Sequence, residues 1–99
     1  MDNELNEIRK RIDSIDAEIV VLINRRAAEV LRIGALKQAR GIPTVDRRRE
    51  KDVCRRIIGE SQGVIDDRGL LRIFQQILTE SRRIQTRQFG KRISKMEVR

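Results

Sequence analysis

From Leu5 to about Arg40 the chain holds no proline and one glycine, Gly34. Its apolar residues recur at Ile8, Ile12, Ile15, Ile19, Leu22 and Ile33, with the alternating four-three step of a buried helical seam. This spacing predicts one very long helix with a single apolar face. Two cations interrupt the stripe. The step after Leu22 falls on Arg26, and the step after Ile33 falls on Lys37. They lie eleven residues apart, close to three turns. Both therefore point the same way, with roughly 16 Å between their backbones. An unpaired cation on a buried face is costly, so this pair implies an anionic partner from protein or ligand. Snorkelling side chains or internal ion pairs are the plainer alternative.

Gly41-Ile42-Pro43 ends that helix, glycine as a C-terminal cap and proline as a restraint on the residue before it. A second helix is expected from near Asp46, a good N-cap, through Val53, Ile57 and Ile58 to about Glu60. Ser61-Gln62-Gly63 breaks it. A third helix starts around Asp66 or Asp67 and runs to about Phe89. Its stripe is Leu70, Phe74, Ile77 and Leu78, followed by Ser81 and then Gln85. Those two polar residues share a face one turn apart. A buried glutamine needs partners for up to four hydrogen bonds, which a structural contact or a ligand supplies. The densest charge cluster is Asp46-Arg47-Arg48-Arg49-Glu50-Lys51. Most of it reads as a solvated helix start, with Asp46 and Arg49 able to pair across one turn. Arg49 and Glu50 lie close to the face of Val53 and Ile57 and can turn inward.

The predicted architecture is all-α, with three helices per chain. Helix 1 raises a problem of coverage. Some 36 helical residues make a rod of roughly 54 Å, whereas a compact chain of this size has a radius of gyration near 13 Å. Two shorter helices cannot cover such a rod. An intertwined homodimeric bundle, in which a second chain buries the remainder, is therefore expected.

Composition narrows the chemistry. The 99 residues allow one domain, read as 1–90, with a basic tail at 91–99 expected to fray. The net charge of +8 points to anionic partners. Histidine is absent and Cys54 is the only cysteine, so neither a structural zinc site nor Ser-His or Cys-His catalysis is expected. A lone cysteine fits a reducing cytoplasm and a small core position. The polar start of the chain gives no sign of a signal peptide, and no apolar run suits a membrane span. Any catalysis rests on carboxylates, amides, Arg and Lys.

Taken together, several spaced motifs resemble the all-helical (AroQ-type) chorismate mutases over about Leu5 to Gln85. They are Ile8-Arg9-x-x-Ile12-x-x-Ile15-Asp16, Leu22-Ile23-x-Arg25-Arg26, Ile33-Gly34-x-x-Lys37, Ile42-Pro43-x-x-Asp46-x-x-Arg49-Glu50 and Ile77-x-x-x-Ser81-x-x-x-Gln85. The resemblance implies an interlaced dimer that rearranges chorismate to prephenate on the route to phenylalanine and tyrosine, without metal or cofactor. It implies that Arg9 and Arg26 hold the two substrate carboxylates, with Arg9 contributed across the interface. Lys37 and Gln85 would donate to the ether oxygen, Lys37 also touching a carboxylate. Asp46, Arg49 and Glu50 would line the region of the ring hydroxyl, Glu50 accepting from it, and Ser81 would meet the polar rim. Arg9 and Lys37 are 28 residues apart, about 42 Å along one helix. One shared site therefore needs both chains.

Two other readings stand beside this one. An isochorismate pyruvate-lyase of the same fold would use a similar cationic pocket. From a different class, a basic helical dimer that binds nucleic acid accounts for the charge, but not for cations on buried stripes or for only two aromatic residues. No nucleic-acid or membrane partner is expected.

Overall fold

A computed structural model describes residues 2–90. The chain folds into three α-helices with no strand among the described residues: α1 (Asp2–Ala39), α2 (Arg47–Ile58) and α3 (Asp67–Gln85). A π-helical turn, Thr86–Gly90, continues α3. The basic segment 91–99 lies outside the described residues.

Each helix boundary has a local cause. α1 carries Asp2 and Glu4 in its first turn and Lys37 in its last, charges that suit the helix dipole. It ends in a Schellman turn. Gly41 takes a left-handed φ of 68°, while the Gly41 and Ile42 N–H groups donate to the carbonyls of Gln38 and Lys37. At the start of α2, the Asp46 carboxylate accepts the Arg49 backbone N–H at 3.0 Å. Asp66 does the same for Gly69 at 2.7 Å before α3.

The structure corrects the expected elements in four places. α1 begins at Asp2 rather than Leu5, because acidic first-turn residues extend it. α2 stops at Ile58, two residues before Glu60. The α-helical part of α3 ends at Gln85, and the stretch to Phe89 belongs to the π-turn. Asp46 does not pair with the Arg49 side chain; its oxygens are engaged by the Arg49 backbone and by Lys37.

α3 is the central element and packs against both α1 and α2. Val53, Ile57 and Leu78 form the buried core between α2 and α3, with Cys54, Leu70 and Phe74 packed against them. Truncating Leu78 there to alanine would cost about 2–5 kcal/mol. Cys54 thus sits near the core as expected, with a free thiol. α1 is different, since Gly34 is its one buried residue. Ile8, Ile12, Ile15, Ile19 and Leu22 are all 42–56% exposed. The radius of gyration is 18.0 Å and the long axis measures 65 Å, against about 13 Å expected for a compact chain of this length. No helix among the described residues is long and apolar enough to cross a membrane.

Candidate active site

Where the second half of α1, the start of α2 and the end of α3 converge, they enclose a cavity of about 230 Å³. That is slightly below the roughly 300–1,000 Å³ typical of drug-sized ligands, a size for a compact small molecule. Seven of the eight residues singled out from sequence line it: Arg26 and Lys37 from α1, Asp46, Arg49 and Glu50 from the start of α2, and Ser81 and Gln85 from α3. The eighth does not. Arg9 stands 17 residues before Arg26 on the same unbroken helix, about 25 Å away along the axis.

Helical register explains the gathering. Arg26 and Lys37 replace apolar residues in the α1 stripe, so they face the same way as Val30 and Ile33, which also line the cavity. Arg26 Nη1 donates to Ser81 Oγ at 2.8 Å, and that hydroxyl donates to the Ile77 carbonyl at 2.9 Å. No salt bridge reaches Arg26 among the described residues. Burial, then repulsion from Arg49 and Arg56, depress its pKa from the ordinary arginine value. It remains a cation at neutral pH. The fold therefore holds a half-buried positive charge beside another, and an anionic ligand would relieve both penalties.

Lys37 Nζ lies 3.7 Å from Asp46 Oδ2. The backbone N–H of Arg49, and secondarily Lys37, hold the Asp46 carboxyl below its usual range despite the opposing effect of desolvation. Gln85 is buried, and its side-chain amide donates to the Val30 carbonyl at 3.4 Å. That bond is long and leaves the amide free to choose a better acceptor. Glu50 is held by Arg82, with Arg47 at 3.6 Å on its outer side.

Arg82 was not among the residues expected from sequence. It lines the cavity, binds Glu50 and donates to Thr79 Oγ1 at 3.2 Å. The four-step that exposed Arg26 on α1 leads from Leu78 to Arg82 on α3, so the signal was present. The Val30 carbonyl is a backbone group in a regular helix, and side-chain spacing carries no mark of it.

The cavity thus presents three α1 and α3 donors, Arg26, Lys37 and Gln85, opposite a carboxylate-bearing α2. Such an array has the chemistry to hold a small polyanion and to polarise an oxygen without a nucleophile. Among the described residues no cluster of carboxylates and thiols is arranged to hold a metal ion.

The sequence profile of type II chorismate mutases matches residues 8–86. The chain belongs to the type II chorismate mutase family. It is 34% identical over 88 residues to the chorismate mutase of Methanocaldococcus jannaschii, covering 86% of this chain and 87% of that protein. It is 35% identical over 80 residues to the bifunctional chorismate mutase/prephenate dehydratase of Aquifex aeolicus, covering 77% of this chain. The corresponding bifunctional protein of Neisseria gonorrhoeae is 38% identical over 72 residues, or 73% of this chain. The matched regions span only 22% and 19% of those two proteins. In structure, the chain resembles form II of the chorismate mutase from Thermus thermophilus, with a TM-score of 0.82 at 28% identity. That similarity covers 86% of this chain and 97% of the other. The all-α, three-helix architecture agrees with this membership.

Proposed function

We propose that the chain catalyses the Claisen rearrangement of chorismate to prephenate in an intertwined homodimer with two equivalent sites. One observation carries this reading. Seven residues that match the family motif meet around one cavity, while Arg9, the eighth, lies too far along α1 to reach it within its own chain. A second chain laid along the exposed apolar stripe from Leu5 to Leu22 would bury that stripe and deliver its Arg9 to the open side of the cavity. We assign the activity to the cytoplasm, where a lone thiol such as Cys54 stays reduced.

In this mechanism Arg26 and Arg9 of the second chain bind the two carboxylates and hold the substrate in its compact diaxial conformer. Fixing that geometry supplies part of the barrier reduction as pre-arranged orientation. As the ether C–O bond lengthens, negative charge grows on its oxygen. Lys37 Nζ and the Gln85 amide donate there, and they favour the transition state over the ground state because the charge is largest at the transition state. Glu50, held by Arg82, accepts from the ring hydroxyl; Asp46 and Arg49 line the same side. Ser81 fixes the Arg26 guanidinium. All electrons move within the substrate, so no proton transfer to the protein is required.

The decisive experiment follows chorismate absorbance with purified protein and EDTA, then identifies the product. Prephenate is the expected result. Pyruvate from isochorismate with little prephenate, or no turnover of either compound, would overturn the proposal.

A further inference from the structure

Gly34 is the one buried position on α1, and Phe89 is the buried apolar side chain that lies outside the α2–α3 core. They touch. A Cβ placed at Gly34 would overlap the edge of the Phe89 ring. Gly34 sits in ordinary helical backbone, so glycine is there for space and not for conformation. Phe89 reaches α1 from the π-turn Thr86–Gly90. Such wider turns are rare and concentrate at functional sites.

The position of this contact is informative. Gly34 follows Val30 by one turn, and the Val30 carbonyl accepts from Gln85. It precedes Lys37 by three residues, while Phe89 follows Gln85 by four. The ring therefore sits about one turn from both Lys37 and Gln85, each on a different helix. A bond of 3.4 Å is too long to fix the Gln85 amide by itself. A ring seated on bare helix backbone sets the approach of two helices much more stiffly, since packed side chains leave little slack.

We propose that Phe89 seated on Gly34 is a clasp that sets the separation of Lys37 and Gln85, making both clasp members positioning residues for the rearrangement. This inference rests on the function proposed above. Neither residue lines the cavity; they act through the two donors. Misplacement by one methyl group would move Gln85 away from the ether oxygen while leaving the carboxylate clamp in place.

The test is Gly34→Ala. Alanine is the better helix former, so a loss of function would come from the ring contact and not from α1 itself. The expected result is a kcat reduced by about 10²-fold with KM changed little, and a shift of the Gln85 side-chain amide signals in ¹H–¹⁵N spectra. In Gly34→Ala/Phe89→Leu the smaller side chain makes room for the methyl, and kcat should recover at least about tenfold. If Gly34→Ala loses its helical circular dichroism, Phe89→Leu alone carries the test through the same kcat and amide readouts. Unmoved Gln85 signals in a folded clasp variant would overturn the clasp whether or not the wild-type chain turns over chorismate. Moved signals with an inert wild-type chain would uphold the clasp and overturn the rearrangement reading. A folded double variant no better than Gly34→Ala would also overturn the clasp.

Discussion

Along the first half of α1, from Leu5 to Leu22, the apolar stripe faces solvent, with Ile15 54% exposed. Along the second half, from Arg26 to Lys37, the same face meets α3, carries two of the cavity's cations and contains the only buried residue of the helix. The four-three step is common to both halves. A hydrophobic period therefore fixes which face seeks cover, but not what covers it. In the second half, the chain's own α3 and π-turn supply part of the cover, at Gly34 above all, while Ile33 stays 50% exposed. In the first half it must come from elsewhere, and a second copy of the chain is the proposed occupant.

The strongest way to break this contrast is to remove one cation from each half. Lys37→Ala and Arg9→Ala are each expected to lower kcat/KM by about 10²–10³-fold in a chorismate-consumption assay. Mixing and exchanging the two variant chains should then restore about a quarter of wild-type activity, because half the dimers are hybrids with one intact site each. Complete exchange without recovery would remove Arg9 from the shared site.

On α3, which covers that second half, Gln85→Glu should lower kcat by about 10²-fold at about pH 8. Activity should return as the pH falls toward the ordinary glutamate value of about 4.3, since only the protonated acid donates. Undiminished turnover at about pH 8 would show that Gln85 is not the donor. In the uncovered half, Ile15→Asp should weaken association by about 3–5 kcal/mol, the cost of an unpaired charge at a buried interface. Sedimentation would read this as dissociation, with loss of helix content as the first half of α1 loses its cover. A dimer of undiminished stability would mean that this stripe is not the interface.

The smallest expected effect lies at the mouth of the cavity. The Arg49 backbone N–H, and then Lys37, depress the Asp46 carboxyl in the folded chain. Its contribution to stability is thus fully present above the ordinary carboxylate pKa. It is lost as the pH falls through the depressed folded value. Asp46→Asn keeps a capping oxygen and removes the charge, so Tm should drop slightly at neutral pH and match wild type in strong acid. Parallel Tm–pH curves for the two proteins would contradict that account.

Much of this was legible in one dimension. Three helices followed from apolar period, the breaks at Gly41-Ile42-Pro43 and Ser61-Gln62-Gly63, and the caps Asp46 and Asp66. Seven cavity residues were legible too, because a helix converts sequence spacing into a shared direction. The π-turn was not legible, since Thr86-Arg87-Gln88-Phe89-Gly90 continues a plausible helical pattern. Arg82 is one of four arginines between positions 72 and 87, which differ only in the neighbours they meet.

The sequence by itself determined the helices, the face each must bury and the cations placed on those faces, because these depend on spacing along one axis. Tertiary structure decided which charges meet. Asp46 caps α2 and meets Lys37 rather than the Arg49 side chain, Glu50 takes Arg82, and Arg26 is left with a hydroxyl in place of a carboxylate. It also decided that Gly34 makes room for Phe89, a contact between residues 55 apart in the chain. Such pairings are set by distances between helices of a few ångströms, and a one-dimensional pattern does not encode them.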